Sequence, residues 1–309
     1  VLGFGTAVNG AKRWIYIGSF SVQPAEFAKI CSVMIEAYYL SYCIQKRQAF
    51  KLIQSQHGTL VVLAALVELE PDMGTMMIIL GVPLLMLIVA GLDMGKIKNL
   101  IFIVVAAATA LCIYQPYRLQ RIKVMLDPWA DAQGMGYQTV QSITAIGSGG
   151  FWGMGLGEGL AKYAYLPEAH TDFAFAVFCQ ENGFLLAAGL IILYGLLGYF
   201  GAKIAKNAYD AYGQVLAGGL VILICLQAVI NMFMVSGFLP VIGVPLPFIS
   251  YGGCSLLVSM AALGILVNIN RYSLIKQRKM EKLTEHNLAN RQKPMRLMPG
   301  QRPKLTRIK

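Results

Sequence analysis

The chain has 309 residues, 57% of them apolar and only 13% charged. Several of its apolar runs approach the ~20 residues needed to cross about 30 Å of hydrocarbon, which excludes an ordinary soluble domain and predicts an integral membrane protein. The net charge of +11 would suit nucleic acid, but Arg271–Lys309 alone carries twelve Lys/Arg against Glu281 and Glu285, so the basicity belongs to a tail.

Taken in order, the apolar runs predict membrane helices over 26–45, 58–71, 74–93, 98–114, 173–203, 213–236 and 247–270, seven in all. The second and third are together too long for one span and shorter than two full ones, with Glu68, Glu70, Pro71 and Asp72 near the middle. The chain is therefore expected to turn inside the outer half of the bilayer. An ionisable group at that depth costs several kcal/mol unless it is solvated or paired, which makes Asp72 a candidate functional residue; the alternative is a carboxylate capping the next helix. Pro71 lacks an amide donor and Gly74 tolerates unusual dihedrals, so a break there is physically reasonable.

Between the fourth and fifth runs lies the one large polar excursion, residues 115–172, which ends in Leu166-Pro167-Glu168-Ala169-His170-Thr171-Asp172-Phe173. Water-facing chemistry has room there. Asp172 is the leading catalytic candidate, with helix capping before Phe173 as its structural alternative. Arg118, Arg121 and Lys123 at the start of the excursion either mark an anionic ligand or crossed the membrane as part of a long loop whatever their charge. Further on, seven glycines between Gly147 and Gly159 suggest a nucleotide loop at first sight, yet neither GxxxxGK[ST] nor GxGxxG is satisfied. What is left is close backbone approach to a ligand or to the membrane surface, or else a flexible loop.

The segment from Lys46 to Lys51, the pairs Lys96/Lys98 and Lys203/Lys206, and the tail 271–309 are predicted to be cytoplasmic by the positive-inside rule. Residues 1–25, 115–172 and 237–246 are then outside. Anionic lipid headgroups attract such a tail; no aromatic platform accompanies it, so nucleic acid is not expected. Its last ~20 residues, rich in Pro, Arg and Lys, are predicted to be disordered. The six cysteines and three histidines show neither CxxC nor HExxH spacing, which points to packing thiols and no built-in metal site.

A set of ordered segments then carries a resemblance. Asn9-Gly10-Ala11-Lys12-Arg13-Trp14-Ile15, Gln23-Pro24-Ala25-Glu26 with Lys29, Pro71-Asp72-Met73-Gly74-Thr75 and Asp127-Pro128-Trp129 come first. Gly136-Tyr137-Gln138, the glycine run, the Asp172 segment and Pro245-Leu246-Pro247-Phe248-Ile249-Ser250-Tyr251-Gly252-Gly253 follow. Over residues 8–270 the chain resembles the shape, elongation, division and sporulation (SEDS) family of peptidoglycan polymerases.

The resemblance implies an all-α polytopic membrane bundle with a large extracytoplasmic loop in the bacterial cytoplasmic membrane: a membrane domain over 1–270 and a cytoplasmic tail over 271–309. Family members generally have about ten membrane helices, so roughly the first three are expected to be missing before Val1. The implied activity joins lipid II, a disaccharide on undecaprenyl diphosphate, into a nascent lipid-linked glycan, with inversion at the donor carbon. A class B penicillin-binding protein is the implied partner, alongside membrane lipids. Asp172 matches the family's essential aspartate and is expected to act as general base. Arg13, Lys29, Arg118 and Arg121 are candidates for contacts to the diphosphate. Glu26 and Asp72 are expected to orient these cations or to hold a divalent ion such as Mg or Mn, with purely structural ion pairing as the alternative.

Three positions depart from the family pattern: Cys254 where serine is usual, Gln180 in place of a glutamate, and Glu70 where glutamine is common. Division and sporulation features at Asp127-Pro128-Trp129 mix with an elongation-type Pro245-Leu246-Pro247-Phe248, leaving the subfamily open. A transporter of lipid-linked precursors and a noncatalytic scaffold are the competing functions for such a groove.

Overall fold

The computed structural model describes residues 6–8, 11–18, 20–51, 54–93, 95–99, 116–163 and 166–291. It opens with three short antiparallel strands, β1 (Thr6–Val8), β2 (Ala11–Ile17) and β3 (Phe20–Val22), which pair in sequence order and place Arg13 beside the bundle. The sequence reading contained no strands here; the segment alternates only briefly and is too short to show a clear two-residue period.

Helix α1 (Pro24–Lys46) starts where Pro24 supplies a ready-set φ in the first turn, carries Glu26 in that turn and Lys46 in its last, and ends at Arg47 in the left-handed region (φ 51°). Next come α2 (Ser55–Glu68) and α3 (Met73–Val89), separated by the expected turn. At about 1.5 Å per residue, their 14 and 17 residues rise roughly 21 and 26 Å, short of a full span each. Asp72 is the N-cap of α3, its Oδ1 accepting from Thr75 N at 3.1 Å.

The polar excursion is itself folded. It contains α4 (Pro116–Leu126), a 3-10 turn over Pro128–Asp131 capped by Asp127, and α5 (Tyr137–Ser148), whose buried Thr139, Val140, Ser142 and Ala145 face the bundle. Ser142 Oγ donates to Val235 O at 2.6 Å and anchors α5 there. Long helices α6 (Ala174–Lys206) and α7 (Ala211–Val235) follow, with the Asp210 side chain capping α7 through Gly213 N. The last helix is α8 (Gly253–Arg291).

Helix α7 is the centre of the bundle: 56% of its most apolar stretch is buried, against 17% for α6, whose outer face is left for lipid. Val33, Ala37 and Leu40 of α1, Ile78, Val82 and Met86 of α3, and Ala217, Leu220 and Ile224 of α7 form the main core. Among the described residues, four helices, α1, α6, α7 and α8, are long and apolar enough to cross a membrane, and α3 is a shorter apolar helix.

Six of the seven expected helices are therefore present, and most of the seventh, 98–114, lies outside the described residues. Two boundaries change. The last helix begins at Gly253 rather than at 247, because Pro245 and Pro247 lack amide donors and residues 245–252 run as a loop. It also continues to Arg291 through half of the basic tail, whose Lys, Arg, Gln, Glu and Leu residues are good helix formers. The disorder expected for the chain's end falls on residues outside the description.

The glycine run finds its partner in α6. At Gly183 the backbone leaves the helix (φ 70°, ψ −175°), which frees carbonyls and amides within an apolar element. Met154 N and Gly155 N donate to Gln180 O and Glu181 O, each at 3.0 Å, while Phe184 N and Leu185 N donate back to Gly150 O and Phe151 O at 2.9 and 3.3 Å. Neither a ligand nor free flexibility explains these glycines: a side chain on Gly153 or Gly183 would run into the backbone of the facing segment. Gln180, the departure from the family pattern, joins the same seam by accepting from Ala161 N and donating to Ser148 Oγ, each at 2.9 Å.

Candidate functional site

The N-termini of α1, α3 and α6 and the C-terminus of α7 meet at one end of the bundle, and the loop 237–252 closes over them. Its position is over-determined. Gln227 Nε2 donates to Pro245 O at 2.9 Å, Asn231 Nδ2 to Val244 O at 2.6 Å, and the Tyr194 hydroxyl to Pro247 O. Tyr251 N donates to His170 O at 2.8 Å, which ties the loop to the segment holding Asp172. Gly74 lies beneath: an added Cβ would stand 2.5 Å from Ile242 O, so this helix start admits no side chain.

Asp172 sits in the last turn before α6. It does not cap that helix: the N-cap is Phe173, without a side-chain hydrogen bond, and Thr171 Oγ1 instead donates to Glu168. Burial pushes the Asp172 carboxyl up from 3.8 to about 6, the charges of Glu168 and Asp72 add to the rise, and Arg13 and Arg121 oppose it. A carboxylate poised near neutrality between two acids and two guanidinium groups is the arrangement expected of a group that takes up and releases a proton.

The structure therefore gathers Asp172, Asp72, Arg13 and Arg121 into one electrostatic neighbourhood. Arg13 donates through Nε to Glu70 O at 2.9 Å and through Nη2 to Pro71 O, which orients it over the turn that carries Asp72. Asp72 Oδ2 accepts from Gln23 Nε2 at 3.3 Å. Arg121 donates to Val241 O and lines a cavity of ≈ 340 Å³ with Tyr137, Gln138, Pro167, Leu239 and Pro240. The Arg118 side chain lies outside the description, although its backbone belongs to α4.

Lys29 and Glu26 occupy a deeper layer. Lys29 is 1% exposed; its ammonium donates to Glu26 Oε1 at 2.8 Å and to Gln227 Oε1 at 3.1 Å. Lys29, expected at the diphosphate, is thus not brought together with Arg13 and Arg121: it is paired inside the protein and braces Gln227, which holds Pro245. Glu26 is taken up in the same pair, 3% exposed. Among the described residues no three His, Cys, Asp or Glu side chains converge on a point that could hold a metal ion.

The sequence reading missed Gln227 and Asn231. Both sit in a fully apolar stretch, and the signal that could have found them is a pair of amides four residues apart in an otherwise hydrophobic helix. Cys254, left aside as a departure, donates through Sγ to Ser21 O and accepts from Gln23 N, both at 3.3 Å, joining the start of α8 to the β-hairpin.

Fold and site together define a multi-pass membrane protein with a half-buried carboxyl of raised pKa and cationic neighbours at one end of its bundle. The family model of the FtsW, RodA and SpoVE proteins, described as "Cell cycle protein", matches residues 1–275, and the chain belongs to this family.

Over 272 residues it is 38% identical to the stage V sporulation protein E of Bacillus subtilis, covering 88% of this chain and 74% of that protein. A probable peptidoglycan glycosyltransferase FtsW of Trichlorobacter lovleyi is 41% identical over 273 residues, covering 87% and 71%. Among solved structures, a chain of a peptidoglycan synthase complex that coordinates polymerization and crosslinking superposes with a TM-score of 0.70 at 26% identity, covering 87% of this chain and 76% of that one. The rod shape determining protein RodA of Thermus thermophilus gives 0.58 at 26% identity, covering 86% and 71%.

Proposed function

We infer that this protein is a peptidoglycan glycosyltransferase of the cell wall, polymerising lipid II into glycan strands. The observation that carries the reading is Asp172, half-buried and raised to about 6 between Arg13 and Arg121 at the mouth of the bundle. At pH 7 a carboxyl of that strength is roughly nine-tenths ionised and remains a far better proton acceptor than an ordinary aspartate.

In the proposed reaction the acceptor disaccharide's hydroxyl oxygen attacks the anomeric carbon of the donor. The bond between that carbon and the diphosphate oxygen breaks with inversion, undecaprenyl diphosphate leaves, and Asp172 takes the hydroxyl proton, later releasing it to water. Charge accumulates on the departing diphosphate, and the guanidinium groups of Arg13 and Arg121, whose charges bear on Asp172, are the cations that would meet it in this reading. Asp72 orients Arg13 through the shared turn.

Orientation follows from charge. Lys46, Arg47, Lys203, Lys206 and the basic stretch of α8 lie at the ends of their helices remote from Asp172, so the positive-inside rule puts that end in the cytoplasm and the site outside, where exported lipid II is found. The reading includes a class B penicillin-binding protein as the transpeptidase that crosslinks the strands.

The test uses the purified protein in vesicles with a defined lipid-linked disaccharide, with and without such a transpeptidase. Glycan chains that depend on Asp172 are expected. Movement of the lipid-linked precursor across the vesicle without chain growth would establish a transporter instead, and neither activity beside a stimulated partner would establish a scaffold.

A further inference from the structure

The geometry points to Asn231 as a positioning residue for Asp172, clamping its backbone to the loop segment that faces its carboxylate. The inference rests on the reading of Asp172 as the general base.

Asn231 is completely buried, near the end of α7. Its Nδ2 carries two hydrogens and both are used, one on Asp172 O at 2.7 Å and one on Val244 O at 2.6 Å. One side chain thus bridges two segments that meet only in the folded protein, the turn entering α6 and the loop leaving α7. Next to Val244 is Gly243, in the left-handed region (φ 72°), where an added Cβ would lie 3.4 Å from Asp172 Oδ2. The clamped carbonyls therefore flank the place where the carboxylate meets the loop.

Chemistry restricts the choice of residue. Bridging two carbonyls from one short side chain takes a two-donor group: serine offers one hydrogen, ionised aspartate none, alanine none. Asn231 Oδ1, meanwhile, is buried with no hydrogen-bond partner among the described residues. A side chain kept only for packing would not bring an unsatisfied acceptor into an apolar core, so the retained donors mark its purpose. One turn earlier on the same face, Gln227 holds Pro245 O in the same manner and connects it to Lys29. The loop is thereby pinned at two successive carbonyls.

A displacement of about 1 Å in a reacting group lowers turnover on the order of a hundredfold. Asn231→Ala is therefore expected to lower kcat for glycan formation about 10- to 100-fold while KM for the lipid-linked disaccharide changes less than about threefold. Asn231→Ser, keeping one donor, should fall between. The acid limb of the pH profile should also move to lower pH, since a released Asp172 gains water while Glu168, Asp72, Arg13 and Arg121 still face it. A purely structural role would leave that limb in place.

Gly243→Ala forces a Cβ into the left-handed region beside the carboxylate, straining the loop with Asn231 intact, and should also lower kcat. If Asn231→Ala does not fold, Asn231→Ser and Gly243→Ala carry the test, and wild-type kcat in both overturns the inference. Wild-type kcat in a folded Asn231→Ala, beside an inactive Asp172→Asn, overturns it alone; normal turnover in Asp172→Asn overturns the base assignment beneath it.

Discussion

Replacing Asp172 with asparagine removes a carboxyl whose folded-state pKa is about 6 against an ordinary 3.8. A rise of about two units corresponds to roughly 3 kcal/mol favouring the protonated form, an upper figure because water reaches part of the group. The sign follows from linkage. Below pH 3.8 the carboxyl is protonated in both folded and unfolded chains and nothing is lost; as pH rises through about 6 the folded state is penalised, and at pH 7.5 it carries the whole penalty.

Asparagine is neutral throughout, so Asp172→Asn should be more stable than the native chain at pH 7.5, by about 1–3 kcal/mol, with the gap closing towards pH 4. The same change should abolish glycan formation, by at least the 10²- to 10⁴-fold typical of general-base loss, without removing the protein from the membrane. Thermal unfolding in detergent at the two pH values, beside gel analysis of glycan products, reads both effects. Below about pH 6 the native enzyme should lose close to tenfold in rate per pH unit. Retained turnover would refute the base; an asparagine variant no more stable than native at pH 7.5 would refute the buried, charge-crowded carboxylate.

Charge reversal of Arg13 or Arg121 removes a cation that holds the Asp172 pKa down, so the acid limb of the rate profile should move to higher pH and affinity for the lipid substrate should fall. Unchanged substrate affinity in both variants would sink the diphosphate role. Lys29→Ala leaves Glu26 buried without its partner and should cost about 3–5 kcal/mol in detergent unfolding; wild-type stability would show that the pair is not braced as described. Gly183→Ala forces a Cβ into the left-handed region and into the backbone of Gly153, and should cost about 1–3 kcal/mol or more. Limited proteolysis should then cut residues 147–163 faster than in the native chain, and equal cutting rates would argue against the seam between the glycine run and α6.

Much of this protein is legible along the chain because the bilayer imposes a simple rule. Apolar runs of membrane length must become helices that satisfy their own backbone, and so the helices and the polar excursion could be placed by hydropathy alone. Asp172 stood out for the same reason, as an acid between polar loop and apolar helix, and so did Asp72, whose cap on α3 is visible as an aspartate before Met73-Gly74-Thr75.

What hydropathy does not encode is which ends come together. Lys29 and Arg13 read alike as cations near a helix start, yet one is sealed against Glu26 and Gln227 and the other reaches the Asp172 neighbourhood, a difference made by how α1 and α7 pack. The glycine run left ligand contact, membrane contact and a flexible loop equally open because its partner is a backbone break some thirty residues on, at Gly183. Residues 247–252 looked helical because their side chains are apolar, whereas Pro245 and Pro247 and the hydrogen bonds from Gln227, Asn231 and Tyr194 to the carbonyls of Pro245, Val244 and Pro247 keep the stretch a loop. By itself the sequence determined the membrane class, the helices, the family resemblance and the acid at the loop's end, all of which depend on local composition and order. The tertiary structure alone decided the raised pKa of Asp172, the burial of Lys29 and the amide clamp on α7, because each arises from groups distant in the chain meeting where water is scarce.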